Sequence, residues 1–310
     1  MSPTSDVPKR WTRRQLLATS LGGIAVLVGA GVTGIELITH GVIPGRLALD
    51  ELEGACTVPA PLLRFTGTGI SKSGSFYSSA RHREVGYTIA WPPGHPVGSP
   101  LPLIVMLHGY GANHSNALSG MTPAQAVALE VDGRPLPPMA MVTVDGGDGY
   151  WNPHPGDNPM AMVISELIPM CQGLNLGKGP ARIGTMGISM GGYGALLFAE
   201  KYPELIQAAA AISPAIWTSY DQARAANPGA YASPSAFVSA DVVTHAAELS
   251  STSVRVASGD DDPFHPGVLS LIEKLPRGAT VDLSKGCHTG PFFLSQELPS
   301  LVFLGLHLTL

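Results

Sequence analysis

The sequence predicts an α/β architecture, a mostly parallel central sheet flanked by helices. Three observations carry the prediction. Short continuous apolar runs, such as Leu103-Ile104-Val105-Met106-Leu107, have the pattern of strands buried on both faces. Helix-forming segments alternate with these runs, as expected where strands lie parallel and the crossovers cover the sheet. Between one such run and a helix-forming stretch lies Gly187-Ile188-Ser189-Met190-Gly191, a G-x-S-x-G pentapeptide in a strand–turn–helix context.

Composition narrows the classes available. The chain has 310 residues, of which 45% are hydrophobic and 13% charged, which excludes a disordered protein. A net charge of −5 provides no general basic surface for nucleic acid. The 37 glycines and 28 prolines follow no period, so they mark turns rather than a repeat. Cys56, Cys171 and Cys287 form neither a metal-site spacing nor a disulfide framework. They read as buried small hydrophobic residues. One pair is free to bridge after export, but the odd count argues against a required staple.

Residues 1–45 read as a targeting segment. Lys9, Arg10, Arg13 and Arg14 precede an apolar stretch from Leu16 to about Ile38. Thr12-Arg13-Arg14-Gln15-Leu16-Leu17 is similar to a twin-arginine export signal. The apolar stretch is also long enough to span a bilayer with its basic end in the cytoplasm. No convincing A-x-A cleavage site follows, so an uncleaved membrane anchor and a released, secreted protein both stand. Within the stretch, Gly29-Ala30-Gly31-Val32-Thr33-Gly34 matches a dinucleotide fingerprint, with Asp50 about 20 residues on. Gly41, Pro44 and Gly45 break the helix this fingerprint requires, and glycines in a membrane helix are the simpler account.

Residues 46–64 read as a linker and 65–310 as the catalytic domain, with a linker-like stretch continuing to its first strand. Glu84–Trp91 reads as a strand closed by Pro92-Pro93-Gly94, followed by the runs Leu103–Leu107 and Met139–Val144. Asn158-Pro159 supplies an N-cap and a proline at the first helical position, opening a helix to about Met170. The serine strand and its helix come next, then Ala208–Ile212, Val254–Ser258 and Thr280–Leu283. Pro214, Pro228, Gly229 and Pro234 mark residues 213–251 as loops and short helices over the site.

In sheets of this kind ligands bind beyond the carboxyl ends of the strands, and the chemically capable residues fall there. Ser189 follows one strand. Ser258-Gly259-Asp260-Asp261-Asp262-Pro263-Phe264 follows another, and Gly286-Cys287-His288-Thr289-Gly290 a third. Serine, acid and histidine follow one another in the chain order found in α/β-hydrolases. The chain resembles the esterase D and mycolyltransferase group of that superfamily over roughly residues 65–310. The likeness is carried by LHGYGAN, VDGGDGYW, ELIPM, GISMGGYGAL, SGDDDPF and GCHTG.

The resemblance implies a serine carboxylic-ester hydrolase working through an acyl-enzyme. Ser189 is the expected nucleophile, His288 the base, and Asp262, three residues past Gly259, the acid, with Asp261 the alternative and Asp260 behind it. The oxyanion hole is expected from the backbone N–H groups of Met190 and Tyr110. His108 is expected to bond backbone groups. His114, His154 and His265 form no ligand spacing, so neither a metal nor another cofactor is expected. Asp145–Trp151 reads equally as a wall of the cleft or as a structural turn. The expected partners are small-molecule, lipid or carbohydrate esters, with membrane contact through the N-terminal segment. Acyl transfer through the same triad remains an alternative, as do a non-catalytic envelope-binding protein and a dinucleotide-binding one.

Overall fold

A strand whose residues are all apolar has no solvent face, so it is stable only with a layer on each side. The computed structural model, which describes residues 54–180 and 182–308, has this layered arrangement. The chain divides after Gly54 into two units, of which the second, Ala55–Leu310, holds the fold. The twin-arginine pair, the apolar stretch and the dinucleotide fingerprint lie outside the described residues. No helix among the described residues is long and apolar enough to cross a membrane.

The strands are β1 (Ile70–Ser78), β2 (Arg83–Trp91), β3 (Leu103–Leu107), β4 (Glu130–Val131), β5 (Arg134–Pro135), β6 (Ala140–Val144), β7 (Ile183–Ile188), β8 (Ala208–Ile212), β9 (Ser253–Gly259) and β10 (Thr280–Ser284). The helices are α1 (Pro123–Ala126), α2 (residues 159–173), α3 (Met190–Lys201), α4 (Tyr220–Ala226), α5 (Pro234–Ser239), α6 (His265–Ile272) and α7 (Gly290–His307). The central sheet has eight strands in the order β1-β2-β6-β3-β7-β8-β9-β10. All neighbours from β6 to β10 are parallel; β1–β2 and β2–β6 are antiparallel. This is the mostly parallel sheet of the α/β-hydrolase fold, with β4 and β5 forming a separate hairpin.

Alternation along the buried strands feeds two cores. Leu103, Val105 and Leu107 of β3 pack on one face with Val142, Leu196 and Phe198, while Ile104 and Met106 pack on the other with Met141, Met186, Leu301 and Leu304. The Asn158 side chain accepts the Ala161 N–H at 2.9 Å and caps α2. Pro169, which has no N–H to donate, lies just beyond a π-helical turn, Val163–Leu167, and the helical run continues to Gly173.

Two sequence expectations need correction. The stretch before β2 is not all linker-like: Ile70–Ser78 forms an edge strand paired with β2 throughout. Its residues are largely exposed, so they lack the apolar signal. The cysteines are not three buried thiols either. Cys56 and Cys287 form a disulfide across 231 residues, with Cα atoms 4.9 Å apart, and Cys171 alone is free and buried. A bond between such distant positions depends on tertiary proximity, which residue spacing does not encode.

Candidate active site

The site is built on the carboxyl ends of β7, β9 and β10. At the end of β7 the chain turns into α3 through Ser189, which holds φ +57° and ψ −119°. Such a backbone is strained for any residue with a Cβ. The flanking glycines make the turn possible. A Cβ on Gly187 would overlap the Gly191 carbonyl, and one on Gly191 would overlap that of Leu107. Hydrogen bonds from Ser189 N–H to Ile212 O at 2.9 Å and from Ala215 N–H to Ser189 O at 3.0 Å fix the junction to the adjoining strand end.

Three of the singled-out side chains meet there. His288 Nε2 lies 2.8 Å from Ser189 Oγ, and His288 Nδ1 lies 2.8 Å from Asp262 Oδ2. An ionised carboxylate only accepts, so Nδ1 carries the proton and Nε2 is left to accept from the serine hydroxyl. The Asp262 side chain is fully buried, and its other oxygen accepts the Phe264 N–H at 2.8 Å. Asp260 is exposed and Asp261 half-buried. The His288 ring stands between Phe264 and Phe293, at centroid distances of 5.1 and 4.9 Å.

The loop after β3 comes close to the serine. A Cβ on Gly109 would lie 3.3 Å from Ile188 O and 3.7 Å from Ser189 Cβ. The turn at Tyr110 is closed by Ala112 N–H to Gly109 O at 3.2 Å, and Asp148 accepts the Gly111 N–H at 2.7 Å. Met190 is the first residue of α3, where an N–H has no acceptor within its own helix. His108 is buried, which lowers its pKa and keeps it neutral. Its Nδ1–H donates to Gly109 O at 2.7 Å, and its Nε2 accepts the Gly146 N–H at 2.9 Å. Both ring nitrogens are thus committed to backbone. His114, His154 and His265 are scattered among Thr88, Gly149 and Ser258 respectively.

A cavity of about 510 Å³ opens over Ser189 and His288. Its walls include Tyr110, Leu118, Tyr150, Ile188, Trp217, Phe264 and Phe293, with Asn116, Ser119 and Asn227 among the polar residues. No Asp, Glu, Lys or Arg is among its lining residues. Burial pushes the Tyr150 hydroxyl up to about 12, so it stays neutral and accepts the Trp217 indole N–H at 2.8 Å. Tyr150 places the 145–151 loop on the wall, and Asp148 braces the loop after β3. The loop therefore does both things expected of it as alternatives. Trp217, Phe264 and Phe293 were not singled out from sequence as wall residues, because nothing in their spacing links them.

The sequence model of the family described as "Putative esterase" matches residues 78–269. No curated protein matches the chain in sequence. Among solved structures, a ferulic acid esterase superposes with a TM-score of 0.61 at 16% identity, covering 77% of this chain and 99% of its own. An S-formylglutathione hydrolase from Agrobacterium tumefaciens gives 0.60 at 17% identity, covering 81% and 100% respectively. A ferulic acid esterase from Anaeromyces mucronatus gives 0.58 at 16%, again covering 81% and 100%. At these identities the structures share the fold, whereas the family match extends over well more than half of the chain. The chain belongs to this esterase family and is a carboxylic-ester hydrolase of the α/β-hydrolase fold.

Proposed function

We propose that the protein is an exported serine esterase that cleaves esters of uncharged, apolar acyl groups by way of an acyl-enzyme. The observation that carries this reading is the continuous hydrogen-bonded line Ser189–His288–Asp262 at the floor of an apolar cavity. Ser189 Oγ attacks the ester carbonyl while His288 Nε2 takes its proton. The oxyanion that forms is held by the N–H groups of Tyr110 and Met190, and each such donor is worth about 3–4 kcal/mol in the transition state. His288 then protonates the leaving alcohol, and water deacylates Ser189 by the reverse proton path. Buried Asp262 holds the ring in the required tautomer and stabilises the imidazolium.

Two observations support export. The Arg13-Arg14 pair stands before an apolar run, and the disulfide between Cys56 and Cys287 belongs to an oxidising compartment. The test of the mechanism is Ser189→Ala with short neutral p-nitrophenyl esters. Turnover is expected to fall by at least about 1,000-fold with the melting temperature retained; undiminished turnover would refute the assignment. In the same assay the wild type should prefer neutral acyl chains to carboxylate-bearing ones of equal length. Adding alcohol acceptors reads whether the acyl group passes to water or to another alcohol.

A further inference from the structure

Cys287 immediately precedes His288, and its side chain is bonded to a segment that lies outside the sheet. The segment after Cys56 contains no strand or helix as far as Leu62. Its next backbone tie is the Arg64 carbonyl, which accepts the Glu130 N–H at 3.0 Å. The loop that carries His288 runs from the end of β10 at Ser284 to the start of α7 at Gly290. Its first part is held by the acid loop: Asp260 N–H donates to Ser284 O and Asp261 N–H to Gly286 O, each at 3.0 Å. Gly259 and Gly286 touch so closely that a Cβ on the former would overlap the carbonyl of the latter. Those backbone ties end at Gly286. Beyond it, the one backbone bond formed by Cys287 and His288 among the described residues is local, from Thr289 N–H to Cys287 O at 2.8 Å. This part of the loop is otherwise held by the contacts of the His288 ring, by the burial of Cys287 and, at its far end, by Ser119 Oγ, which donates to Gly290 O at 3.1 Å; the disulfide is its covalent tie to a distant segment.

From this placement we infer that Cys56 is a positioning residue for the esterase reaction: its bond to Cys287 holds His288 in line with Ser189 and Asp262, and full catalytic competence follows formation of that bond. The inference rests on the assignment of Ser189 and His288 given above. It has a chemical consequence. A dithiol reductant passes two electrons and two protons to the bridge and closes to its own disulfide. The Sγ–Sγ bond breaks to two thiols, and the histidine loop loses its tie. The cavity walls at Tyr110, Leu118, Tyr150 and Trp217 lie on other segments, so reduction should leave substrate binding largely as it was.

The experiment uses the full chain in three forms: wild type, Cys56→Ser, and wild type reduced with dithiothreitol and then reoxidised. Each is assayed for kcat and KM on a neutral p-nitrophenyl ester, with the melting curve recorded in parallel. Cys56→Ser leaves the residue beside His288 unchanged. The expected result is a fall in kcat of roughly tenfold or more with KM within about twofold, in both the variant and the reduced wild type, and recovery of kcat on reoxidation. Unchanged kcat in a protein shown by thiol titration to be reduced would overturn the inference. So would loss of the cooperative melt on reduction, because the bond would then hold the domain rather than the loop. Ser189→Ala, run alongside, separates the two readings: activity surviving there removes the triad assignment itself, whatever the cysteine results.

Discussion

Asp262 is the residue on which the site's electrostatics turn. Its carboxylate is buried with one oxygen on His288 and the other on the Phe264 N–H, so it has no alternative geometry to adopt. Asp262→Asn should lower kcat by about 10⁴-fold, since an amide favours the wrong histidine tautomer. Asp261→Asn should cost far less, and the reverse ranking in steady-state kinetics would reassign the acid. Glu297 makes a different prediction. It is fully buried in α7, accepts the Ser119 N–H with one oxygen, and has no hydrogen-bond partner for the other among the described residues. Burial pushes its pKa up to about 8, from an ordinary value of 4.5. Below pH 4.5 both folded and unfolded states hold the proton and the group contributes nothing to pH dependence. Between that value and about 8 only the unfolded chain releases it, so stability falls as pH rises, and the loss is complete above about 8. Glu297→Gln keeps an acceptor for Ser119 and removes the titration. Its stability relative to wild type should rise by a few kcal/mol between pH 5 and 8. Parallel melting-temperature profiles for the two proteins would contradict this.

At the scale of elements, legibility followed burial. β3, β6, β7 and β8 are buried along their whole lengths, and their short apolar runs, interrupted only by small residues and threonine in β6 and β7, marked them in the sequence. The junction at Ser189 was legible for another reason: only glycine fits where the Gly187 and Gly191 backbones cross their neighbours, so the steric demand is written as a motif. The candidate triad residues follow the ends of β7, β9 and β10, where the alternation of strands and helices led. β1 was missed because its register with β2 is carried by backbone bonds, while Ser71, Lys72, Ser73 and Ser75 face solvent. α7 carries Pro299 in its interior, which argues against a continuous helix when only the chain is read. The cavity walls were the least legible part. Tyr150, Trp217, Phe264 and Phe293 come from four separate segments and meet only after folding.

For the molecule as a whole, the sheet order places the proposed nucleophile centrally and its two proposed partners toward one edge. β7 lies inside the sheet, while β9 and β10 are the last two strands. The serine is therefore framed by well-packed strands, and the histidine by an edge strand and a loop with few ties of its own. The bond from Cys56 to Cys287 brackets every strand among the described residues, from Ile70 to Ser284, within one covalent circuit. A break anywhere inside that circuit separates no part of the sheet. Limited proteolysis at the exposed tip of the β4–β5 hairpin, where Asp132 and Gly133 both adopt positive φ, should give two fragments that migrate as one band until a reductant is added. Two bands without reductant would show the circuit open. A chain closed in this way tolerates a nick as an interrupted ring rather than as two pieces.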